Sequence, residues 1–312
     1  MSDFDTEAER SILVADDGRK ILLDYWPART AGNPVAIAQV LHGLAEHPAR
    51  YDRFAGKCKA KRIAVFAHNH RGHGENCPEN DLGFFAERKG WDKVIADVQT
   101  VQQDIRQRFP DVPIVLFGHS MGSFVAQSFL ARHPDGADAL VLSASNLPPL
   151  AQVLPGHWIA RFIAWRHGKQ QKSETLNKLG FVAFNKRFEP NRTAFDWLSR
   201  DENEVDRYVS DPLCGFDSSN ALWADLTGAL LQVGRRSSLR KIPATLPILI
   251  TGGDKDPVGG LKGMMALAAA YRRSGHDRVT LRTYPDGRHE MLNEINRDEF
   301  TADVLDWIAA SL

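Results

Sequence analysis

From residue 35 onward, short apolar runs that read as strands alternate with runs of helical period, and nothing else in the chain constrains its fold so strongly. A strand over 35–41 ends at His42-Gly43 and precedes a helix-compatible run, 50–61. The strand 63–67 precedes the long amphipathic run 91–109, and the strand 114–117 precedes the run 123–132. Ala139–Ser143 continues the series. After a gap it resumes with a strand at 248–251, a helix at 261–273, the strand Val279–Tyr284 and a closing helix at 298–310. Lys20–Trp26 reads as an early strand ahead of the series. Strands joined by helical crossovers pair in parallel, so the pattern predicts an α/β protein with a mostly parallel sheet covered on both faces.

Between Asn146 and about Lys241 the alternation stops, and the chain reads as helical, punctuated by Pro148-Pro149, Pro155, Pro190 and Pro212. This marks an insertion and divides the chain into an α/β core, 1–146 and 242–312, and a helical cap or lid, 147–241. Trp158, Phe162 and Trp165 fall on one helical face of it, as do Phe181, Phe184 and Phe188. Each stripe reads first as packing. Lining an apolar substrate channel, or transient contact with a membrane surface, is the alternative.

Lys plus Arg and Asp plus Glu both number 39, so no overall field favours nucleic acid, which is not an expected partner. Cys58, Cys77 and Cys214 are odd in number and widely spaced, as ordinary thiols in a reducing compartment are. The first residues are acidic and polar, without a basic segment leading into an apolar run, and no stretch reaches the roughly 18 apolar residues of a membrane span. A soluble, cytoplasmic protein is therefore expected. The sequence carries no signal of oligomeric state.

Gly118-His119-Ser120-Met121-Gly122 lies where the 114–117 strand meets the 123–132 helix. A serine on such a turn, between glycines that let strand and helix crowd together, presents its hydroxyl at the end of a sheet as a nucleophile. Alone, the pattern is equally a helix cap, so partners must be found. An activated serine needs a base and the base an acid, and in this arrangement the chain order is Ser, acid, His. His289 follows the last strand, and Asp256 follows the one before it, so both belong at the same sheet end as Ser120. Asp254 competes for the acid's role; Asp256 is preferred because Pro257 fixes the turn behind it. The tetrahedral intermediate needs two backbone donors. Met121 N–H, at the start of the helix, supplies one, and Leu44 N–H, after His42-Gly43, is the candidate for the second. The alternative for Gly43 is that it only ends a strand. His68-Asn69-His70-Arg71-Gly72-His73 has the spacing of a metal-dependent hydrolase, but Gly72 stands where such sites have Asp, and Arg71 beside a dication is unfavourable. It reads better as a loop packed near the oxyanion turn, with no metal.

Together these pieces resemble the α/β-hydrolase superfamily, and within it the monoacylglycerol lipase and bacterial lysophospholipase-like group. Leu41-His-Gly-Leu-Ala-Glu-His47 looks like that group's oxyanion loop, Ala67-His-Asn-His-Arg-Gly-His-Gly74 like its glycine-histidine loop, and Gly118–Gly122 like its nucleophile elbow. Phe195-Asp-Trp-Leu-Ser-Arg-Asp201 and Asp211-Pro-Leu-Cys-Gly-Phe216 are similar to the cap of bacterial members. The resemblance spans nearly the whole chain. It implies the α/β-hydrolase fold, a sheet of about eight strands with an inserted helical cap, and a triad of Ser120, Asp256 and His289 with the Leu44 and Met121 amides as oxyanion hole. Ser123 departs from the group, standing where a further glycine is common, and Asn69 replaces a frequent aspartate.

The function expected is hydrolysis of a carboxylic ester, most directly a lysophospholipid or monoacylglycerol, through an acyl-enzyme and without a cofactor. A small-ester carboxylesterase or a serine aminopeptidase-like hydrolase is the alternative, the latter with Glu202, Glu204 and Asp206 as the groups that could hold a substrate ammonium. A non-catalytic ligand-binding homologue is the remote one.

Overall fold

The structure is a computed structural model that describes residues 7–29, 32–178 and 183–312. Eight strands, β1 (Glu9–Val14), β2 (Lys20–Trp26), β3 (Ala36–Leu41), β4 (Ile63–His68), β5 (Ile114–His119), β6 (Ala139–Ser143), β7 (Ile248–Gly253) and β8 (Val279–Tyr284), form one sheet in the order β1-β2-β4-β3-β5-β6-β7-β8. β2 runs antiparallel to both its neighbours, and every other pair is parallel. The mostly parallel sheet is what the alternation predicted, and the arrangement is the α/β-hydrolase fold that the resemblance implied.

β1 was not among the strands expected. It pairs with β2 through a tight turn at Asp17-Gly18 but sits at the sheet edge, with Ile12 and Val14 more than half exposed, so it lacks the buried run that marks the inner strands. The expected strands otherwise stand where they were read, with β5 and β7 each two residues longer at the C-terminal end.

Because side chains alternate along a strand, the two faces of β5 meet different helices. Val115 and Phe117 pack with Phe54 and Cys58 of α1 (Asp52–Ala60) and with Phe300, Val304 and Ile308 of α11 (Arg297–Ser311). Leu116 points the other way, into the cluster built by α2 (Gly90–Arg108), α3 (Met121–Leu130) and α10 (Gly260–Arg273). Both faces are thus covered, which is why the inner strands are continuously buried.

Between β6 and β7 the named elements are all helical: α4 (Leu150–His167), α5 (Glu174–Asn177), α6 (Ala183–Asn185), a short helical turn, α7 (Glu202–Ser210), α8 (Asn220–Val233) and α9 (Arg236–Leu239). α8 joins the core directly, through Leu222, Leu226 and Ala229 packed with Val94 and Phe124. The expectation that both aromatic stripes pack is corrected for the first. Trp158, Phe162 and Trp165 are 60%, 59% and 77% exposed on α4, in line with the equally exposed Leu150 and Leu154. The inner face of α4 is supplied instead by Val153, Ala160 and Ala164. In the second stripe Phe184 and Phe188 pack against a small cluster containing Trp197 and Tyr208, and Phe181 lies outside the described residues. No helix among the described residues is long and apolar enough to cross a membrane.

Candidate active site

β5 ends at His119, and at Ser120 the backbone takes φ 50° and ψ −118° before α3 begins. That φ costs energy for any L-residue, and such strain is kept only where the surroundings enforce it. Here the enforcement is close packing: a Cβ on Gly122 would stand 1.9 Å from the Leu41 carbonyl oxygen, so only glycine lets α3 start against the end of β3. Ser120 N–H also donates to Ser143 O at 2.9 Å, tying the turn to β6.

A buried polar chain supports the elbow from beneath. Ser123 Oγ donates to Ser120 O at 2.6 Å and lies 2.8 Å from Ser145 Oγ. Gln127 Nε2 donates to Ser123 O, and Tyr271 O–H donates to Gln127 Oε1 at 3.1 Å. The serine that departs from the group's glycine therefore pins the carbonyl of the strained residue. Ser123→Ala is expected to lower stability by about 1–2 kcal/mol, the cost of a lost buried hydrogen bond, and kcat by about 3–30-fold with KM within twofold. Steady-state kinetics and a thermal melt check this; a KM change with unchanged kcat would assign Ser123 to binding instead.

His289 stands on the loop after β8 and Asp256 on the loop after β7, and both are buried. His289 Nδ1–H donates to Asp256 Oδ1 at 2.9 Å, which leaves Nε2, 2.9 Å from Ser120 Oγ, free to accept the serine proton. Burial alone would lower the imidazole's pKa. The Asp256, Glu290 and Glu46 carboxylates outweigh it and hold His289 above its ordinary value. Asp254 is turned elsewhere, its Oδ1 accepting Asp286 N–H at 2.9 Å.

The turn carrying the second expected amide is close to the nucleophile: Gly43 and Leu44 line the same cavity as Ser120 and Met121, and a Cβ on Gly43 would stand 3.4 Å from Ser120 Cβ. The Met121 amide is the first of α3 and so has no intrahelical acceptor. Gly43 N–H donates to Glu46 Oε1, which also accepts from Tyr51 O–H at 2.9 Å, and this holds the turn closed. Beneath it packs the loop of the H-x-H-x-x-H stretch. His70 N–H donates to His42 Nε2 at 3.0 Å, so His42 Nδ1–H is left to donate to Gly43 O, and the rings of His42 and His70 are 4.2 Å apart. Arg71 is engaged by Asp17 and Asp97.

His42, His68, His70 and His73 are all buried. Burial pushes His68 and His73 down to about 4, and His42 and His70 well below their ordinary value. The unfolded chain takes protons on these groups near pH 6.5 while the folded chain refuses them until about pH 4, so stability falls as pH drops through that window. His289, with its raised value, runs the opposite way, losing its contribution as pH rises past its folded pKa. His68 and His73 alone amount to roughly 3 kcal/mol each, a large share of an ordinary domain's 5–15 kcal/mol. Cooperative loss of circular dichroism between pH 6.5 and 4 is expected; a native signal unchanged at pH 4 contradicts it.

Reading by sequence missed a charged cluster beside His289. Arg50 donates to Glu46 at 3.2 Å and to Glu290, all three side chains being nearly buried, and its guanidinium lies 4.8 Å over the Tyr208 ring. Burial raises Glu290 against the pull of Arg50, whereas for Glu46 the same burial is outweighed by His119, Arg50 and the Gly43 amide, which hold it below the usual range. Glu290 directly follows His289 and Glu46 sits in the oxyanion motif, so position was the available signal.

The helical segment completes the site. Trp197 packs on the His289 ring at 4.9 Å, and its neighbours are tied to the histidine loop by Glu290 N–H to Leu198 O at 2.8 Å and Ser199 Oγ to Asn293 O at 2.8 Å. The resulting cavity, of about 210 Å³, is lined by Ser120 and His289 and has apolar walls from Met121, Phe124, Trp223, Leu226 and Leu230. No lysine or arginine lines it among the described residues. The stripe of Trp158, Phe162 and Trp165 does not reach it.

The model of the serine aminopeptidase S33 family (Hydrolase_4) matches residues 32–296. The chain is 31% identical to the monoglyceride lipase of Mus musculus over 91% of its own length and 88% of that protein's. It is 28% identical to the monoacylglycerol lipase of Mycolicibacterium smegmatis, covering 95% of each. Among solved structures it is similar to a highly thermostable carboxyl esterase from Bacillus coagulans in complex with glycerol, with a TM-score of 0.88, 25% identity and coverage of 97% and 98%. The match to the family model over most of the chain, together with the eight-stranded fold, shows that this chain belongs to the serine aminopeptidase S33 family, as a serine hydrolase of the α/β-hydrolase superfamily grouped with the monoacylglycerol lipases.

Proposed function

We propose that the chain hydrolyses the ester of a single-acyl lipid with an uncharged head, a monoacylglycerol. The observation that carries this reading is the unbroken hydrogen-bonded line Asp256–His289–Ser120 opening into a mostly apolar cavity that no lysine or arginine lines among the described residues. Ser120 Oγ attacks the ester carbonyl as its proton passes to His289 Nε2, and Asp256 holds the imidazole tautomer and stabilises the imidazolium. The Leu44 and Met121 amides receive the oxyanion of the tetrahedral intermediate. On collapse the glycerol oxygen leaves with the proton from His289, and the acyl group remains on Ser120. Water, deprotonated by His289, then releases the fatty acid and regenerates the serine. No metal or organic cofactor enters this cycle.

A lysophospholipid fits less well. Its phosphate would need a cation, and Arg50, behind the cavity wall, is already bound by Glu46 and Glu290. The aminopeptidase alternative loses its expected anchor, because Glu202 and Asp206 are exposed beside Arg192 and Glu204 pairs with Arg53 and Arg207. Residues 147–241 act, in this reading, as a cap that supplies the acyl wall. The exposed row from Leu150 to Trp165 on α4, a helix with Arg161 and Arg166 and no acidic residue, rests on the lipid surface from which substrate is drawn. A panel of monoacylglycerol, lysophosphatidylcholine, a short ester and an aminoacyl amide, the lipids offered in vesicles, tests this. Monoacylglycerol is expected to have a kcat/KM at least about tenfold above the others, and preference for the lysophospholipid or the amide would overturn it.

A further inference from the structure

The oxyanion loop and the turn after α7 meet outside the catalytic cavity, at His47, Asp211 and Cys214. His47 Nε2 lies 2.8 Å from Asp211 Oδ2. Asp211 Oδ1 accepts Leu213 N–H at 2.8 Å, and Cys214 N–H donates to Asp211 O at 3.0 Å, so a tight turn curls the thiol back beside the carboxylate. One nitrogen, one oxygen and one sulfur atom of the three side chains all lie within 4.8 Å of one another. His47 and Cys214 are each 8% exposed, and among the described residues the Cys214 Sγ has no hydrogen-bond partner. We propose that these three residues bind a thiophilic divalent cation of the Zn²⁺ class, which clamps the turn around Cys214 to the oxyanion loop.

The donor set selects the ion. Imidazole, carboxylate and thiolate suit Zn²⁺, whereas Mg²⁺ and Ca²⁺ demand oxygen ligands. Zinc at bonds of about 2.0–2.3 Å sets tetrahedral ligands roughly 3.3–3.8 Å apart, so the widest edge must close by about 1 Å and the His47–Asp211 edge must open slightly. His47 and Asp211 also line a separate cavity of about 400 Å³, which offers an entry path and a water for the fourth position. Arg50, Arg53 and Arg207 also line that cavity and would oppose a dication; Glu46 and Glu290 balance Arg50, Glu204 pairs with Arg53 and Arg207, and Asp52 adds a further carboxylate. Existing bonds show that the two segments already meet there: Gly215 N–H and Tyr208 O–H both donate to Ala45 O at 2.9 Å. Binding replaces the Cys214 S–H bond with a metal–sulfur bond and releases one proton to solvent. Because a proton leaves the thiol as the ion binds, affinity rises with pH.

Chelator-treated full-length protein is titrated with Co²⁺, whose spectrum reports its ligands, and with Zn²⁺ against a chromophoric chelator. One equivalent is expected, with tetrahedral visible bands and a thiolate charge-transfer band that persist in Cys77→Ser. Both are expected to vanish in Cys214→Ser, with Zn²⁺ affinity lower by at least about 100-fold. His47→Gln gives an independent reading should Cys214→Ser fold poorly, and the same loss is expected there. A Co²⁺ spectrum without the thiolate band, or a band that survives either variant, overturns the proposal.

Discussion

Ser120→Ala is expected to lower kcat for a p-nitrophenyl ester by about 10⁵–10⁶-fold, the size of loss seen when the nucleophile of a serine triad is removed. The loss falls on kcat because the substituted atom acts only in bond formation. The apolar walls from Phe124 to Leu230 remain, so substrate binding should be little altered. Some catalysis should survive, about 10³-fold over water, because in the proposed mechanism the Leu44 and Met121 amides still receive the oxyanion. The fold should survive too, since the elbow is enforced by Gly122 against Leu41 and by Ser123, and not by the Ser120 hydroxyl. Steady-state kinetics with a thermal melt of the same sample tests both halves. A variant retaining more than about 1% of the wild-type kcat would mean that another group performs the attack.

Asp256→Asn is expected to cost about 10⁴-fold in kcat with the geometry intact. An amide in place of the carboxylate offers a donor as well as an acceptor toward Nδ1 and no charge to stabilise the imidazolium, so the imidazole can settle in the tautomer that cannot accept the Ser120 proton. The same change should lower the pKa governing kcat/KM, because Asp256 is the leading influence that holds His289 up against burial. Asp254→Asn, two residues away and bonded to the Asp286 amide, should change kcat by less than about threefold. The pair separates two aspartates that sequence left in competition, and a tolerant Asp256 beside a sensitive Asp254 would reverse their roles.

That Ser120, Asp256 and His289 meet was legible in the chain because each follows a strand, and parallel strands end together. Knowing the order of strands and loops was enough to bring Ser120, Asp256 and His289 to one edge. β1 was not legible, because an exposed edge strand carries only part of the apolar alternation and its partner β2 had to be seen beside it. The helical segment between β6 and β7 was the least legible part. Helical spacing places Trp158, Phe162 and Trp165 on one face but does not say which way that face points, and here it points to solvent. The segment's aromatic residues that reach the cavity, Phe184, Trp197, Tyr208 and Trp223, come from four different stretches; only Phe184 belongs to a predicted stripe, and Trp223 reaches it with Leu226 and Leu230 on one face of α8. Charge was equally opaque. Glu46, Arg50 and Glu290 look like surface residues in composition, and only long-range packing, some 240 positions apart, makes them a buried cluster.

The central claim is that Ser120 forms the covalent intermediate. Treatment with a fluorophosphonate followed by intact-mass and peptide mass spectrometry tests it directly. One adduct per chain on Ser120 is expected, formed in parallel with loss of esterase activity and absent from Ser120→Ala; labelling of another residue, or inactivation without an adduct on Ser120, would contradict it.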